Sequence, residues 1–331
     1  MRRFVTVCLL LLGIAVIVAG SSIAWLWRDR PELQELSIAQ AETLPDAAVG
    51  VSVTWLGVSS LLFDDGETQI LIDAAFTRIA PMRYALLRPV QSDIATINYA
   101  IDEYRIDRLA AIVPVHAHID HAIDVGRVAN RSTALVLGSE SIANIARGAG
   151  VPVDQFQILA NGENRVFGNF TITLLESRHV PTFGTESGWP DGVIEEPLQQ
   201  PTTALAYRGG AARSILIEHP NGTALIQGSA GFINGVLDAR PVDVAFLSIA
   251  GLAANGADYT AEYWDATVTA TGAETVYVVH FDDFTRPFGE VSLFPRFVDD
   301  VVTAADWVRG LAATSNVELR RPPFGVPIRI Y

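Results

Sequence analysis

A chain of 331 residues, half of them hydrophobic, is long enough to bury one large core or two modest ones. The formal charge is −14 and its basic side is all arginine; the absence of lysine excludes a Schiff-base lysine, with it pyridoxal phosphate chemistry, and a P-loop lysine. So acidic a chain is not expected to take nucleic acid as its partner, and its single cysteine, Cys8, excludes an intrachain disulfide.

Arg2 and Arg3 precede a nearly uninterrupted apolar run over 4–27, closed by Arg28, Asp29 and Arg30. At the helical rise such a run spans about 36 Å, enough to cross a hydrocarbon core with some tilt. Trp25 and Trp27 stand where an aromatic belt would meet the far interface. Residues 1–30 are therefore expected to be a transmembrane anchor or a signal peptide, with Val18, Ala19, Gly20 and Ser21 as the small-residue processing site. The expected localisation is the membrane, with the remaining chain periplasmic or extracellular, or an exported soluble form after cleavage. Residues 31–49 read as a polar, acidic linker before a single domain over 50–331.

From Gly50 short apolar runs alternate with turn residues. Strands are expected over 51–57, 59–63 and 69–73, with Asp64, Asp65 and Gly66 turning the second into the third. A less regular region to about 104 reads as helical excursions over the sheet. Then come a strand over 109–113, helices over 122–130 and 139–147, and strands over 134–137 and 156–159. This β-α-β-α-β rhythm predicts an α/β layered domain. Further strands are expected over 166–170, 171–177, 203–208, 214–218, 223–227, 242–248 and 275–279, and helices over 260–271 and 296–311. Residues 182–201, rich in Gly, Pro and acids, break the rhythm as a lid or a solvated insertion.

The densest chemistry follows the strand at 109–113. His116, His118, Asp120 and His121 fall within six positions, and only His179, His219 and His280 lie elsewhere. A strand ending in so tight a turn can aim several imidazole nitrogens and one carboxylate into a small volume, a donor set that suits zinc, iron or manganese. His179, Ser229 and His280 also come just past apolar strands, so the same sheet edge can gather them. His219 falls at an expected hairpin turn and reads as a surface residue or a substrate contact.

With these residues in view the chain resembles the metallo-β-lactamase superfamily from about Val51 to its end. Asp73 after Ile70-Leu71-Ile72, the H-x-H-x-D-H run from His116 to His121, His179 before Val180-Pro181, and His280 before Phe281-Asp282-Asp283 come in the family's order. The branch it looks most similar to holds lactonase-like hydrolases and the phospholipase D acting on N-acylphosphatidylethanolamine. The resemblance implies a four-layer αββα sandwich, here preceded by the N-terminal transmembrane helix. It implies that His116, His118 and His179 hold a first zinc ion (or iron or manganese), that Asp120, His121 and His280 serve a second, and that Asp73 orients a ligand histidine from behind. The chain departs from the pattern at Ser229, which stands where the family usually has an aspartate bridging both metals. One anionic link is then missing, so a weakened second site or a single ion follows unless Asp282 or Asp283 substitutes.

A metal with three protein ligands keeps an open position for water and polarises the group under attack, with Asp120 orienting that water and accepting its proton. The expected function is metal-dependent hydrolysis of an ester, lactone, amide or phosphodiester. The alternative is a non-catalytic binding protein on the same fold with a degenerate metal site. Candidate substrate contacts are Arg286, Arg178 and Trp189, and the partners expected are a small-molecule or lipid-like substrate and the membrane itself.

Overall fold

A computed structural model describes residues 13, 20–21, 26–43, 50–182, 184–185 and 188–331. Fourteen strands form among them: β1 Ser52–Trp55, β2 Leu61–Asp64, β3 Gln69–Ile72, β4 Leu109–Val113, β5 Leu135–Gly138, β6 Phe156–Ile158 and β7 Asn164–Phe167, then β8 Phe170–Glu176, β9 Arg213–His219, β10 Gly222–Gln227, β11 Val244–Ser248, β12 Thr275–Val279, β13 Glu318–Arg320 and β14 Ile328–Arg329. They assemble into two seven-stranded sheets, ordered β14-β1-β2-β3-β4-β5-β6 and β13-β12-β11-β10-β9-β8-β7. Each sheet has an antiparallel part and a parallel part, β3 to β6 in one and β10 to β13 in the other, and helices fill the parallel connections except that between β10 and β11.

The side-chain alternation of a strand sorts residues between layers. Ile70 and Ile72 of β3 and Ala111 and Val113 of β4 join the core between the sheets, where Phe63 meets Phe246 edge-on at 5.8 Å. Leu71 and Ile112, one position out of phase, enter a second core with Ile97, Val128, Ile142 and Ile145 from the helices Ile94–Glu103, Val125–Arg131 and Glu140–Gly148. On the far side of the other sheet, Val301, Ala304 and Val308 of the helix Val301–Ser315 pack with Trp264. The layering is the expected two-sheet α/β sandwich.

Several local expectations differ from what the structure shows. Residues 203–208 carry a 3-10 turn, Ala204–Ala206, in place of a strand; the hydrogen bonds of Thr202 go to Val90 in an isolated bridge that leaves 203–208 unpaired. The helix expected over 260–271 runs as Ala257–Trp264 and then widens into a π turn, Asp265–Thr269. Residues 31–43 do not run free. They form a 3-10 turn, Leu33–Leu36, that packs against the helix Val301–Ser315, with Leu36, Ile38 and Ala41 buried in the same core cluster as that helix. Most of the apolar run 4–27, and so the transmembrane helix expected there, lies outside the described residues. Among the described residues no helix is long and apolar enough to cross a membrane. Trp27 packs edge-on against Phe297 at 5.9 Å, and Arg30 donates to the buried Asp283 and to the Leu293 carbonyl. The chain therefore enters the domain close to the strand end that carries His280.

Candidate metal centre

Parallel strands aligned in one direction bring their C-terminal ends to one edge, where the loops that follow can converge. Asp73 follows β3, the turn His116–His121 follows β4, Ser229 follows β10 and His280 follows β12. The antiparallel β8 adds His179 from the same end. Two groups of potential ligand atoms result, His116 with His118 and His179, and Asp120 with His121 and His280; within each, the atoms lie within 4.8 Å of one another. His116 and His121, which belong to different groups, have ring centroids 4.0 Å apart, so the groups are contiguous. Both could hold a cation.

The ring orientations follow from the partners behind them. His118 presents Nδ1 to His116 Nε2 at 2.9 Å, and its Nε2 donates to the Pro190 carbonyl at 3.1 Å. His179 Nδ1 donates to the Val180 carbonyl at 2.6 Å. His121 Nδ1 lies 2.8 Å from Asp73 Oδ2, while Asp73 Oδ1 takes the Val115 N–H. Carbonyl and carboxylate oxygens only accept, so each of these three rings spends its N–H outward and keeps the lone pair of its other nitrogen for the shared space. That arrangement fits a metal ion, for which an oriented neutral imidazole is the usual donor. The buried Nδ1 atoms of His116 and His280 have no partner.

Close backbone approach shapes the first group. A Cβ on Gly188, at φ +79°, would come within 2.3 Å of His179 Nδ1, and one on Gly209 within 3.0 Å of His118 Nε2. Only bare backbone fits against these rings. Residues 188–194 are thus laid over the site: the Pro190 carbonyl holds His118, and Asn144 fixes this stretch by donating to the Ile194 carbonyl. Trp189, half exposed at 51%, stands next to that contact.

On the other side a strained loop is pinned from several directions. Val58, a β-branched residue at φ +52°, donates its N–H to Asp282 Oδ1 at 2.8 Å, and its carbonyl accepts from the Trp55 indole and the His280 N–H. Asp73 and His280 also adopt positive φ, at 54° and 56°. Such backbone costs on the order of 1–3 kcal/mol per residue and persists where surrounding bonds over-determine it. Ser59, next in this loop, donates to Asp73 Oδ2 at 2.6 Å and lies 3.1 Å from His121 Nδ1.

The electrostatics of the groups differ in kind. Burial, reinforced by neighbouring rings, pushes His116 well below the ordinary histidine range and His179 down to about 3; burial also lowers His118. Burial would lower His121 too, but Asp120 and Asp73 overcome it and raise that ring. For Asp120, burial acts upward, yet His121 and the hydrogen-bonded His280, whose Nε2 lies 3.3 Å from Oδ2, hold the carboxyl well below the usual carboxylate range. Asp120 is anionic at neutral pH.

Ser229, just past β10, accepts the Val180 N–H at 3.0 Å and so supports the backbone next to His179. Neither proposed substitute carboxylate faces the histidines: Asp282 is taken by Val58, and Asp283 by Arg30 and Thr285. Arg286, expected as a substrate contact, pairs with Glu290 on the surface. His219 lies apart, 5.1 Å from Phe170 and facing Asp65. Ser59 was invisible beforehand because a serine in a loop carries no signal until the fold lays it against Asp73.

A profile of the Metallo-beta-lactamase superfamily matches residues 53–280. The chain belongs to the metallo-β-lactamase superfamily. A metal-dependent hydrolase from Desulforamulus reducens is 24% identical over 255 residues, a match covering 76% of this chain and 94% of that protein. Among solved structures, Igni18, a metallo hydrolase from Ignicoccus hospitalis, superposes with a TM-score of 0.51 at 14% identity, over 84% of this chain and 97% of that one. YhfI from Bacillus subtilis gives 0.50 at 14% identity, over 84% and 99%. CmlA, a diiron β-hydroxylase from Streptomyces venezuelae, gives 0.51 at 13% identity, over 86% of this chain and 55% of that one. At such identities the structures speak for the metallo-β-lactamase fold alone.

Proposed function

We propose that this superfamily member is a metal-dependent hydrolase that directs water onto an ester, lactone, amide or phosphodiester, with His116, His118 and His179 as the ligands of its principal ion. The observation that carries the reading is the pair of adjacent ligand groups in which three rings, His118, His121 and His179, already have their outward nitrogen engaged by an acceptor. The matching family profile and the metal-dependent hydrolase it resembles support the same reaction class. Zinc suits a set of imidazoles with one carboxylate, and iron or manganese suits it nearly as well. When bound, such an ion supplies Lewis acidity and makes water reactive near neutral pH.

The chain's own residues supply the rest. Asp120, ionised and held by His280, is placed to take the proton of the attacking water. Asp73 and Ser59 hold the His121 ring, and the Pro190 carbonyl holds the His118 ring. Because Ser229 is neutral and spends its hydroxyl on Val180, the second group, Asp120 with His121 and His280, is the weaker of the two. The run 4–27 supports a membrane-held protein with the domain outside the cytoplasm, and hence a lipid-like substrate.

The test is metal content together with a panel of lactone, acyl-ester, phosphodiester and phospholipid substrates. Wild type carries one to two ions per chain and turns over at least one class, whereas His118→Ala loses both metal and turnover. Equal turnover by the two proteins would sink the reading.

A further inference from the structure

A cavity of about 630 Å³ opens beside the ligand His179. Its walls carry Arg178 and Arg213 against the single carboxylate of Glu176, with Asn161 completing the polar lining. The stretch Gly210, Ala211 and Ala212 forms part of the wall and has no long side chain to fill the space. In a chain of formal charge −14, an excess of guanidinium here is a local reversal of sign.

Arg213 is the better placed of the two. Its backbone is fixed, the N–H donating to the carbonyl of Val115, the residue before His116, at 2.9 Å. Its guanidinium is nearly idle: Nη2 reaches only the Leu159 carbonyl, at a long 3.5 Å, and the buried Nε has no partner. Glu176 is its cross-strand neighbour in the β8–β9 register, yet among the described residues the two form no ion pair. Burial lowers the Arg213 pKa while Glu176 raises it, as expected of a cation whose hydration is only partly replaced. A buried guanidinium N–H without an acceptor is costly, and an anionic oxygen is the partner that offsets the cost best. Arg178, exposed and adjacent to His179, offers a second fork at the mouth.

We propose that this cavity is the recognition subsite of the hydrolase, taking a carboxylate or phosphate group of the substrate on Arg213 and Arg178 while the bond to be cleaved lies beyond His179 at the ligand histidines. The substrate class is therefore an ester, lactone or phosphodiester that carries a separate anionic group. The assignment rests on the hydrolase reading for the identity of the ligand as substrate, but not for the presence of the anion site.

The test is calorimetric binding of 4-phenylbutyrate and its neutral counterpart 4-phenylbutyramide to the metal-loaded full chain. Wild type binds the carboxylate at least about tenfold more tightly than the amide, the low end for a hydrogen bond to a charged partner. Arg213→Gln abolishes that preference and Arg213→Lys keeps part of it. Arg178→Gln, at an exposed position where folding is not at stake, lowers it about threefold, as for a solvent-facing ion pair. A preference unchanged in Arg213→Gln places the anion on the metal and overturns the proposal, and so does a wild type that does not discriminate. Hydrolysis by wild type against His118→Ala is read separately. A chain that discriminates the probes but hydrolyses nothing keeps the anion site and loses only the hydrolase reading.

Discussion

The two ligand groups share one sheet edge but are held by different means. His118 and His179 are oriented by the backbone carbonyls of Pro190 and Val180, both outside the strands. His121 is oriented by Asp73, itself bonded to Ser59 and to the Val115 N–H, so this support comes from strand ends and the strained loop around Val58. The first group is neutral because burial keeps its rings unprotonated; the second is ionic, built around Asp120. Charge is concentrated on one side, and the Ser229 hydroxyl beside Val180 adds none. A loop-held neutral group and a sheet-held ionic group should respond to different substitutions.

Asp120→Asn gives the largest expected effect. Removing the proton acceptor lowers kcat by about 10²–10⁴-fold. The ion on His116, His118 and His179 stays, which elemental analysis of the purified variant checks. Loss of all metal in Asp120→Asn would mean that the groups are one site and erase the distinction. Next is Asp73→Asn, which removes the carboxylate behind His121 and should cost about 10- to 100-fold in affinity of the second ion. Titration with a competing chelator should show that weakening with the tighter ion unmoved.

Ser229→Asp sharpens the contrast from the opposite direction. A carboxylate at position 229 should raise metal content from about one ion toward two per chain, as single carboxylate ligands add anionic donors to a divalent site. Unchanged stoichiometry would show that the second position is already complete. The smallest effect concerns Asp124, away from both groups. Burial raises its carboxyl to about 6 despite hydrogen bonds from the Thr77 N–H and hydroxyl. A folded-state pKa above the unfolded value means that the native state binds the proton more readily. Stability from this group is therefore present at low pH and declines as pH rises from about 4 to about 6. The wild-type stability relative to Asp124→Asn should fall by ~2 kcal/mol between pH 4.5 and 7.5, most of what a shift of about two pKa units supplies in all. Urea midpoints of both proteins at the two pH values check it, and a pH-independent difference would show that the carboxylate is not desolvated.

Much of the sheet architecture was legible because strands buried on one or both faces leave a period of two or an unbroken apolar run, as at 69–73 and 109–113. β13 and β14 were not legible, since three and two residues are too few to show a period. At 203–208 the apolar character was real, but it belongs to a buried turn in which Ala204 and Tyr207 pack with the outer helices. The histidine turn announced itself by density, and five of the six histidines do lie in the two ligand groups. Ser59, the Pro190 carbonyl and Arg213 gave no sign, because a hydroxyl, a backbone oxygen and a strand arginine look alike in any sequence.

The sequence by itself determined that a cluster of imidazoles with one carboxylate would end a buried strand, that Ser229 brings no carboxylate of its own, and that the chain is acidic without lysine. Only the tertiary structure decided which nitrogen of each ring faces inward, that Asp282, Asp283 and Arg286 are occupied elsewhere, and that Arg213 stands idle beside His179. The reason is that residue type and local period are properties of the chain. The direction of a lone pair and the partner of a charge depend on residues that meet only when distant strands are laid side by side.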